Sequence, residues 1–392
     1  VAYSVTSWFQ EQTELNFSAP VRKLTIGNSD YSSHVLKWPV IRKSWNDIRP
    51  TNLTLDLANE DREFTFIQTD FTKLRSVVKI EFGYTHPSSG SELITLFEGT
   101  IEKVRYTRGK VNLTSIDKFS QLSDRVLGSS DEPLEFVNSN YLPSDIVWYA
   151  VTSYGGYSNI TSTSNPDIDY EKWLEWSSIF SASTVFTNAR FEGEKVTEVL
   201  RKIGRMTSSA IFIDNNRITF YRFSLVNSLG ITLGINNTTD KFDVELDDRT
   251  IINKQLVFAD YDVTSNYFKI TVNDEDNSSV NSFGLRERIE KDEVIWYVNS
   301  VSAVNYAQRI VTHNKLPYEN ISLETSLVGL TRFLGENVTM VNSFFNINGT
   351  YRIMDYGFNT DTGLLNFKID KSQFSNPFIL NTSSLGGVDV LT

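Results

Sequence analysis

Cysteine is absent from this 392-residue chain, and histidine occurs only at His34, His86 and His313. Without cysteine there are no disulfide scaffolds, thiolate zinc sites or cysteine nucleophiles. The three histidines stand far apart in sequence and read as surface or packed residues, so no metal site is expected. Basic charge is in deficit: 37 Lys and Arg against 48 Asp and Glu leave a net charge of −11. A dedicated nucleic-acid module needs a basic footprint, which this balance does not supply. An acidic wall still suits a passage that phosphate must slide through without sticking. No apolar run is long enough to span a bilayer, so no stable membrane insertion is expected. Residues Val1 to Phe17 lack the basic start and apolar core of a signal peptide. A nucleophile elbow, a HExxH helix, a Walker loop and a dinucleotide glycine fingerprint are all missing. The chain is therefore read as non-enzymatic, with no catalytic, cofactor-binding or metal-binding residue assigned.

What is plentiful is aromatic: 26 Phe and 17 Tyr suit a strand-heavy fold, where flat rings pack on a pleated surface. Leu53, Leu55 and Leu57 alternate with Thr54, Asp56 and Ala58. Val78, Ile80, Phe82 and Tyr84 alternate with Lys79, Glu81 and Gly83. Period-2 patterns of this kind mark half-buried strands. Residues 93–128 add a hairpin, expected to bend at Gly99, turn at Thr107-Arg108-Gly109 and run into a short helical turn after Asp117-Lys118. Val35 to Trp45 is a further apolar run, interrupted by Pro39. Helix signals concentrate in the middle of the chain. Pro143-Ser144-Asp145 opens one helix, and Asp169 caps another that carries Trp173 and Trp176. Val196, Val199, Leu200 and Ile203 fall at i, i+3, i+4, i+7. Asn299 to Asn314 reads as helix, closed by Pro317, and Asn273 to Ser279 reads as a polar loop.

The resulting fold class is mainly β with an α+β insertion: two β-barrel-like domains flanking or interleaved with an α+β domain. The boundaries are an N-terminal arm at 1–19, a first barrel at 20–128, an α+β domain at 129–225, a β-rich region with a helix at 226–320, second-barrel strands at 321–374 and a tail at 375–392. Several clusters invite a chemical reading and receive a structural one. Gly155-Gly156 is read as a helix C-cap and turn. Asn165-Pro166-Asp167-Ile168-Asp169 offers hard oxygen ligands but serves better as an N-cap, and Asp274-Glu275-Asp276 is read as a solvated loop tip. Trp148, Trp173 and Trp176 have the residue type to stack a sugar ring, but their spacing favours a small aromatic core. Lys202 and Arg205 flank a helix end and are assigned no ligand.

Four segments together resemble the tail-tip hub and central baseplate proteins of tailed phages and of related gene-transfer particles. They are the run TIGNSDYSSHVLKWPVIRKSWNDIRPTNLTLDLANED within 21–63, the 93–128 hairpin with its "DK" and "LG", the passage LPSDIVWYAVTSYGG…NPDIDYEKW at 142–176, and FGLRE at 283–287 with the helix after it. The resemblance implies a homotrimer, in which two similar barrels per subunit make a pseudo-sixfold ring. The ring would sit on a sixfold tail tube on one side and present threefold symmetry on the other, closed before DNA ejection and open during it. The implied partners are distal tail and tail tube proteins, the C-terminus of the tape-measure protein, tip spike or fibre proteins, and DNA only in transit. The implied location is the virion, after synthesis in the bacterial host cytoplasm. A fused lysozyme-like domain or needle, carried by some hubs, is not visible. Two rival readings stand beside this one: a hexameric distal tail ring or glycan-binding tail protein, and, with less to support it, a cell-wall hydrolase.

Overall fold

The computed structural model describes residues 5–14, 20–44, 51–65, 67, 70–88, 90–136, 141–180, 189–214, 216–222, 231–262, 264–291, 299–330 and 334–371. Leu15, Phe17, Trp45 and the tail at 375–392 lie outside the described residues.

The chain is mainly β, with two half-barrel sheets and a helical insertion. The first sheet takes β1 (Val21–Ile26), β2 (Ser29–Asp30), β3 (Val35–Lys37), β5 (Asn52–Ala58), β6 (Val77–His86), β7 (Gly90–Thr107) and β8 (Lys110–Asp117), in the order β2-β1-β6-β7-β8-β5-β3. Alternation does the work here. Leu53, Leu55 and Leu57 are buried while Thr54 and Asp56 between them are exposed, and on β6 Val78, Ile80, Phe82 and Tyr84 are buried while Lys79 and Glu81 are partly exposed. A one-residue slip would turn each of these apolar rows to water, which fixes the register.

β4 (Val40–Ser44) does not join that sheet. It pairs antiparallel with β22 (Ile347–Asn359), matching Ser44 with Asp355 and Val40 with Asn359. The second sheet is built from β15 (Thr232–Gly234), β16 (Thr238–Asp247), β20 (Tyr318–Thr325), β21 (Asn337–Asn342), β22 and β23 (Leu364–Lys371), in the order β15-β21-β22-β23-β20-β16, with β4 added on β22. The apolar run at 35–45 is thus two strands, split at Pro39 and serving different sheets. The interiors of both sheets merge into one core, where Phe82 of β6 meets Phe358 of β22 edge-on at 4.8 Å. The helix Ser7–Glu14 adds Phe9, fully buried, to the same core.

The insertion has a core of its own. The helix Val196–Thr207 buries Val196, Val199, Leu200 and Ile203 against the hairpin of β13 (Ser209–Asp214) and β14 (Arg217–Arg222). Four short strands flank these elements: β9 (Val126–Leu127) pairs with β12 (Glu194–Lys195), and β10 (Leu134–Phe136) with β11 (Ala189–Phe191). β17 (Lys254–Asp262), between β18 (Tyr267–Glu275) and β19 (Glu287–Glu290), joins this second core, as does the helix Ser300–Asn314 through Ala303, Tyr306 and Ala307.

Two local expectations need correction. β7 is continuous through Gly99, and its register irregularities fall to either side, against β6 between Thr95 and Phe97 and against β8 between Ile101 and Lys103. Gly99 is needed for space instead: a Cβ there would lie 2.4 Å from the Ile116 carbonyl oxygen and 2.7 Å from the Phe97 ring. Gly99→Ala is expected to cost about 1–3 kcal/mol, the usual range for overpacking, as read by the urea unfolding midpoint. The stretch Asn273–Ser279 is not a loop. β18 continues to Glu275, and Asp276 caps the helix Asn277–Phe283 by accepting from the Ser279 N–H at 2.9 Å. Lys315 closes the cap with an ion pair to Asp276 at 3.0 Å. A polar, water-facing edge strand followed by a capped helix has the composition of a loop, and the cap chemistry decides.

Candidate functional site

A cleft of about 1060 Å³ opens where β4, beyond the end of the first sheet, pairs with the second. β4, the edge of the β20–β23 region and the tip of the β13–β14 hairpin wall it. Several of its polar groups are paired. Lys43 Nζ lies 3.1 Å from Asp214 Oδ1, tying β4 to the hairpin. Ser44 Oγ donates to Asp355 across the β4–β22 pair. Lys241 meets Glu324 at 2.9 Å. In a small neighbouring pocket Asn216 Nδ2 donates to Glu98 Oε1 at 3.0 Å. Beneath them Asp117, at the end of β8, is almost fully buried and accepts from the Thr51 and Phe119 N–H groups at 2.9 and 3.0 Å. Burial pushes its carboxyl up to about 6. Tyr356, buried in the β22 wall of the cleft, has its hydroxyl pKa raised by burial and by the nearby Asp214 charge. The charge pairs and hydrogen bonds that link β4, the hairpin and the second sheet make this a clasp between modules. The bonds fix how β4, the hairpin and the second sheet meet.

The sequence-flagged clusters fall into place around the insertion. Asn165 is buried; its Oδ1 accepts from the Asp167 and Ile168 N–H groups, and its Nδ2 donates to the Ser158 and Ile160 carbonyls. Asp167 pairs with Lys118, and Asp169 caps the helix Tyr170–Ser177 by accepting from the Lys172 N–H. Every oxygen that invited a cation therefore has a structural task. Gly155 and Gly156 end the helical turn after Pro143–Tyr149, with Gly156 at φ +76°, which favours glycine. Arg309 Nη2 donates to the Met206 carbonyl at 2.8 Å, at the end of the helix that Lys202 and Arg205 share.

Trp176 is buried, stacked on Phe220, and donates Nε1–H to Ser209 Oγ at 2.8 Å. Trp173 is buried beside it, so these two tryptophans are core. Trp148 is half-buried, 5.0 Å from Trp173, and lines an open recess of about 390 Å³ with Phe136, Tyr141 and Tyr149. Of the recess's polar groups, Asp145 is already engaged by the Leu142 N–H.

His86 packs its ring against Trp8 at 4.6 Å and accepts from the Ser88 N–H. His313 lies largely buried near Asp370, and burial pulls its pKa down to about 4. His34 is different. The fold brings it beside Asp61 and Glu63, a grouping with no local sequence signal because 27 residues separate His34 from Asp61.

The exposed apolar surface has its own focus. Phe344 at the β21–β22 turn is 83 % exposed, and it adjoins Phe345, which stacks on Phe242 of β16. Among the described residues no helix is long and apolar enough to cross a membrane.

No family model matches the sequence, and no curated protein matches it. Solved structures do match. A 43 kDa tail protein of prophage MuSo2 from Shewanella oneidensis superposes with a TM-score of 0.60, at 12 % identity over 91 % of this chain and 99 % of its own. A tail protein from Neisseria meningitidis gives 0.59 at 12 % identity, over 90 % of this chain and 97 % of its own. A prophage tail protein from Listeria monocytogenes gives 0.53 at 10 % identity, over 90 % and 95 %. Matches of that extent take in both large sheets and the insertion, so the chain has the fold of phage tail proteins.

Proposed function

We propose that this chain is a structural, non-enzymatic subunit of a phage tail or baseplate: the hub that closes the distal end of the tail tube. The observation that carries the reading is one chain with two seven-stranded half-barrel sheets and the fold of prophage tail proteins along nearly its whole length. Three copies set six such sheets around an axis, the number a sixfold tube presents, while the rest of the subunit keeps threefold symmetry. The shared core and the β4 crossing make the two sheets a rigid pair, which suits a part that holds a symmetry mismatch under load.

The charge fits the same role. A net charge of −11 discourages phosphate from adhering to a passage that DNA crosses once. The exposed pair Phe344 and Phe345, the latter stacked on the partly buried Phe242, suits burial against a neighbouring subunit. Distal tail proteins, the tape-measure C-terminus and a spike or fibre are the partners this position requires, and the virion is its location.

Native mass spectrometry at micromolar concentration tests the reading. The expected species has three times the 44.7 kDa chain mass. Six copies would favour a distal tail ring, and a compact monomer alone would count against both. The glycan-binding alternative has one place to live, the recess at Trp148. It requires sugar-array binding that Trp148→Ala abolishes.

A further inference from the structure

We propose that His34 Nε2, Asp61 Oδ2 and Glu63 Oε2 form a three-ligand site for a divalent first-row transition ion, of which zinc is the best fit. The site clips the edge of the first sheet. His34 ends a short helical turn just before β3, and the two carboxylates sit on the loop just after β5. Among the described residues β3 is the last strand on that side and pairs with β5 alone, through an irregular register. A cation held here joins the two ends of that pair.

The geometry is preset. The three ligand atoms lie within 4.8 Å of one another. Nε2 is 2.9 Å from Glu63 Oε2 and 3.3 Å from Asp61 Oδ2. Zinc bonds of ~2.0–2.2 Å in a tetrahedron place neighbouring ligands about 3.3 Å apart, so closing the site needs only small side-chain adjustments. The imidazole is held edge-on to the rings of Tyr31 and Phe64, both buried, with Nδ1 near Ser33 Oγ at 3.3 Å. A partner on Nδ1 fixes the ring and leaves Nε2 as the ligand atom. Asp61 is steadied through its other oxygen, which accepts from the Glu63 N–H at 3.1 Å. The loop itself is tied down: Asn59 Oδ1 accepts from the Phe64 N–H, Tyr106 Oη donates to the Phe64 carbonyl, and Arg62 is held at φ +62°.

Electrostatics points the same way. One imidazole N–H serves one carboxylate well, yet two carboxylates converge on this nitrogen. The pair asks for a larger positive centre between them. One imidazole with two carboxylates suits zinc or manganese better than calcium or magnesium, which favour all-oxygen shells. The carboxylates are 56 % and 45 % exposed, so water or a neighbouring subunit's side chain can complete the coordination.

The test uses the full chain, dialysed against chelator and titrated calorimetrically with Zn²⁺, Mn²⁺, Ca²⁺ and Mg²⁺ in turn. One Zn²⁺ per chain is expected, with tighter binding at pH 8 than at pH 6 because the ligands must be deprotonated. Calcium and magnesium should bind at least tenfold more weakly. Glu63→Gln and Asp61→Asn, both at the surface, should each weaken zinc at least tenfold, and His86→Ala should leave it unchanged. An absence of zinc heat overturns the proposal. So does zinc binding that survives Glu63→Gln and His34→Gln, or calcium binding as tight as zinc.

Discussion

Replacing Asp370 with alanine is expected to cost the fold about 3–5 kcal/mol, the range for a buried ion pair that loses one partner. Asp370 on β23 is fully buried, and Arg352, opposite it on β22, is 4 % exposed. The two meet through a fork, Nε to Oδ1 at 3.3 Å and Nη2 to Oδ2 at 3.0 Å. Removing the carboxylate leaves the guanidinium inside the protein with its main counter-charge gone. Removing both charges is a different matter. Arg352→Met with Asp370→Leu exchanges the pair for apolar contact and is expected to restore most of the loss, because neither desolvation penalty then remains. Denaturant unfolding of the two single variants and the double closes the cycle. A cost below about 1 kcal/mol for Asp370→Ala would mean that the pair is not buried as described.

The second large effect concerns pH. Asp117 titrates near 6 in the folded chain against an ordinary 3.8, and His313 near 4 against 6.5, both through burial. The signs oppose. Folded Asp117 holds its proton more tightly than unfolded Asp117, so acidifying from about 6 to 4 stabilises the fold. Folded His313 resists its proton, so acidifying from 6.5 to about 4 destabilises it. Each contribution is about 3 kcal/mol, and they nearly cancel across this window. Lys43 faces Asp117, while Asp370, Arg352 and Arg309 face His313. The exposed caps Asp30, Asp70 and Asp276 are held below the ordinary value by hydrogen bonds from Ser32, Thr72 and Ser279. Their stabilisation is lost only below about pH 4, outside the window. The unaltered chain should therefore show level stability from pH 6.5 to 4, and Asp117→Asn should show a fall of about 3 kcal/mol over the same range. Unfolding midpoints at half-unit pH steps measure both. A variant as level as its parent would contradict the opposing pair.

The parts of this fold that read directly from the sequence are those where burial is one-sided and local. The rows Leu53-Leu55-Leu57 and Val78-Ile80-Phe82-Tyr84 announce their strands, and Val196, Val199, Leu200 and Ile203 announce a helix, because each pattern is completed within a few residues. The aromatic-core reading of Trp173 and Trp176 and the capping role of Asp169 follow from equally local chemistry. What does not read directly is partnership. Nothing in residues 40–44 says that their neighbour is β22, 311 residues away by the Ser44–Asp355 bond. Pro39 marks a break but not a destination. His34, Asp61 and Glu63 are unremarkable apart and gain meaning only when β3 and β5 lie side by side.

The β4–β22 pairing also imposes an order on biosynthesis. Residues 40–44 leave the ribosome roughly 300 residues before their partner, a wait of roughly 15–60 s at ~5–20 residues per second. During that wait the early sheet can form while β4 stays unmatched, its Ile41 still without the core that finally buries it. The second sheet closes only after residues 347–371 have been made. A chain released before that point has β4 but not the strand that pairs with it, so its two sheets cannot merge into one core.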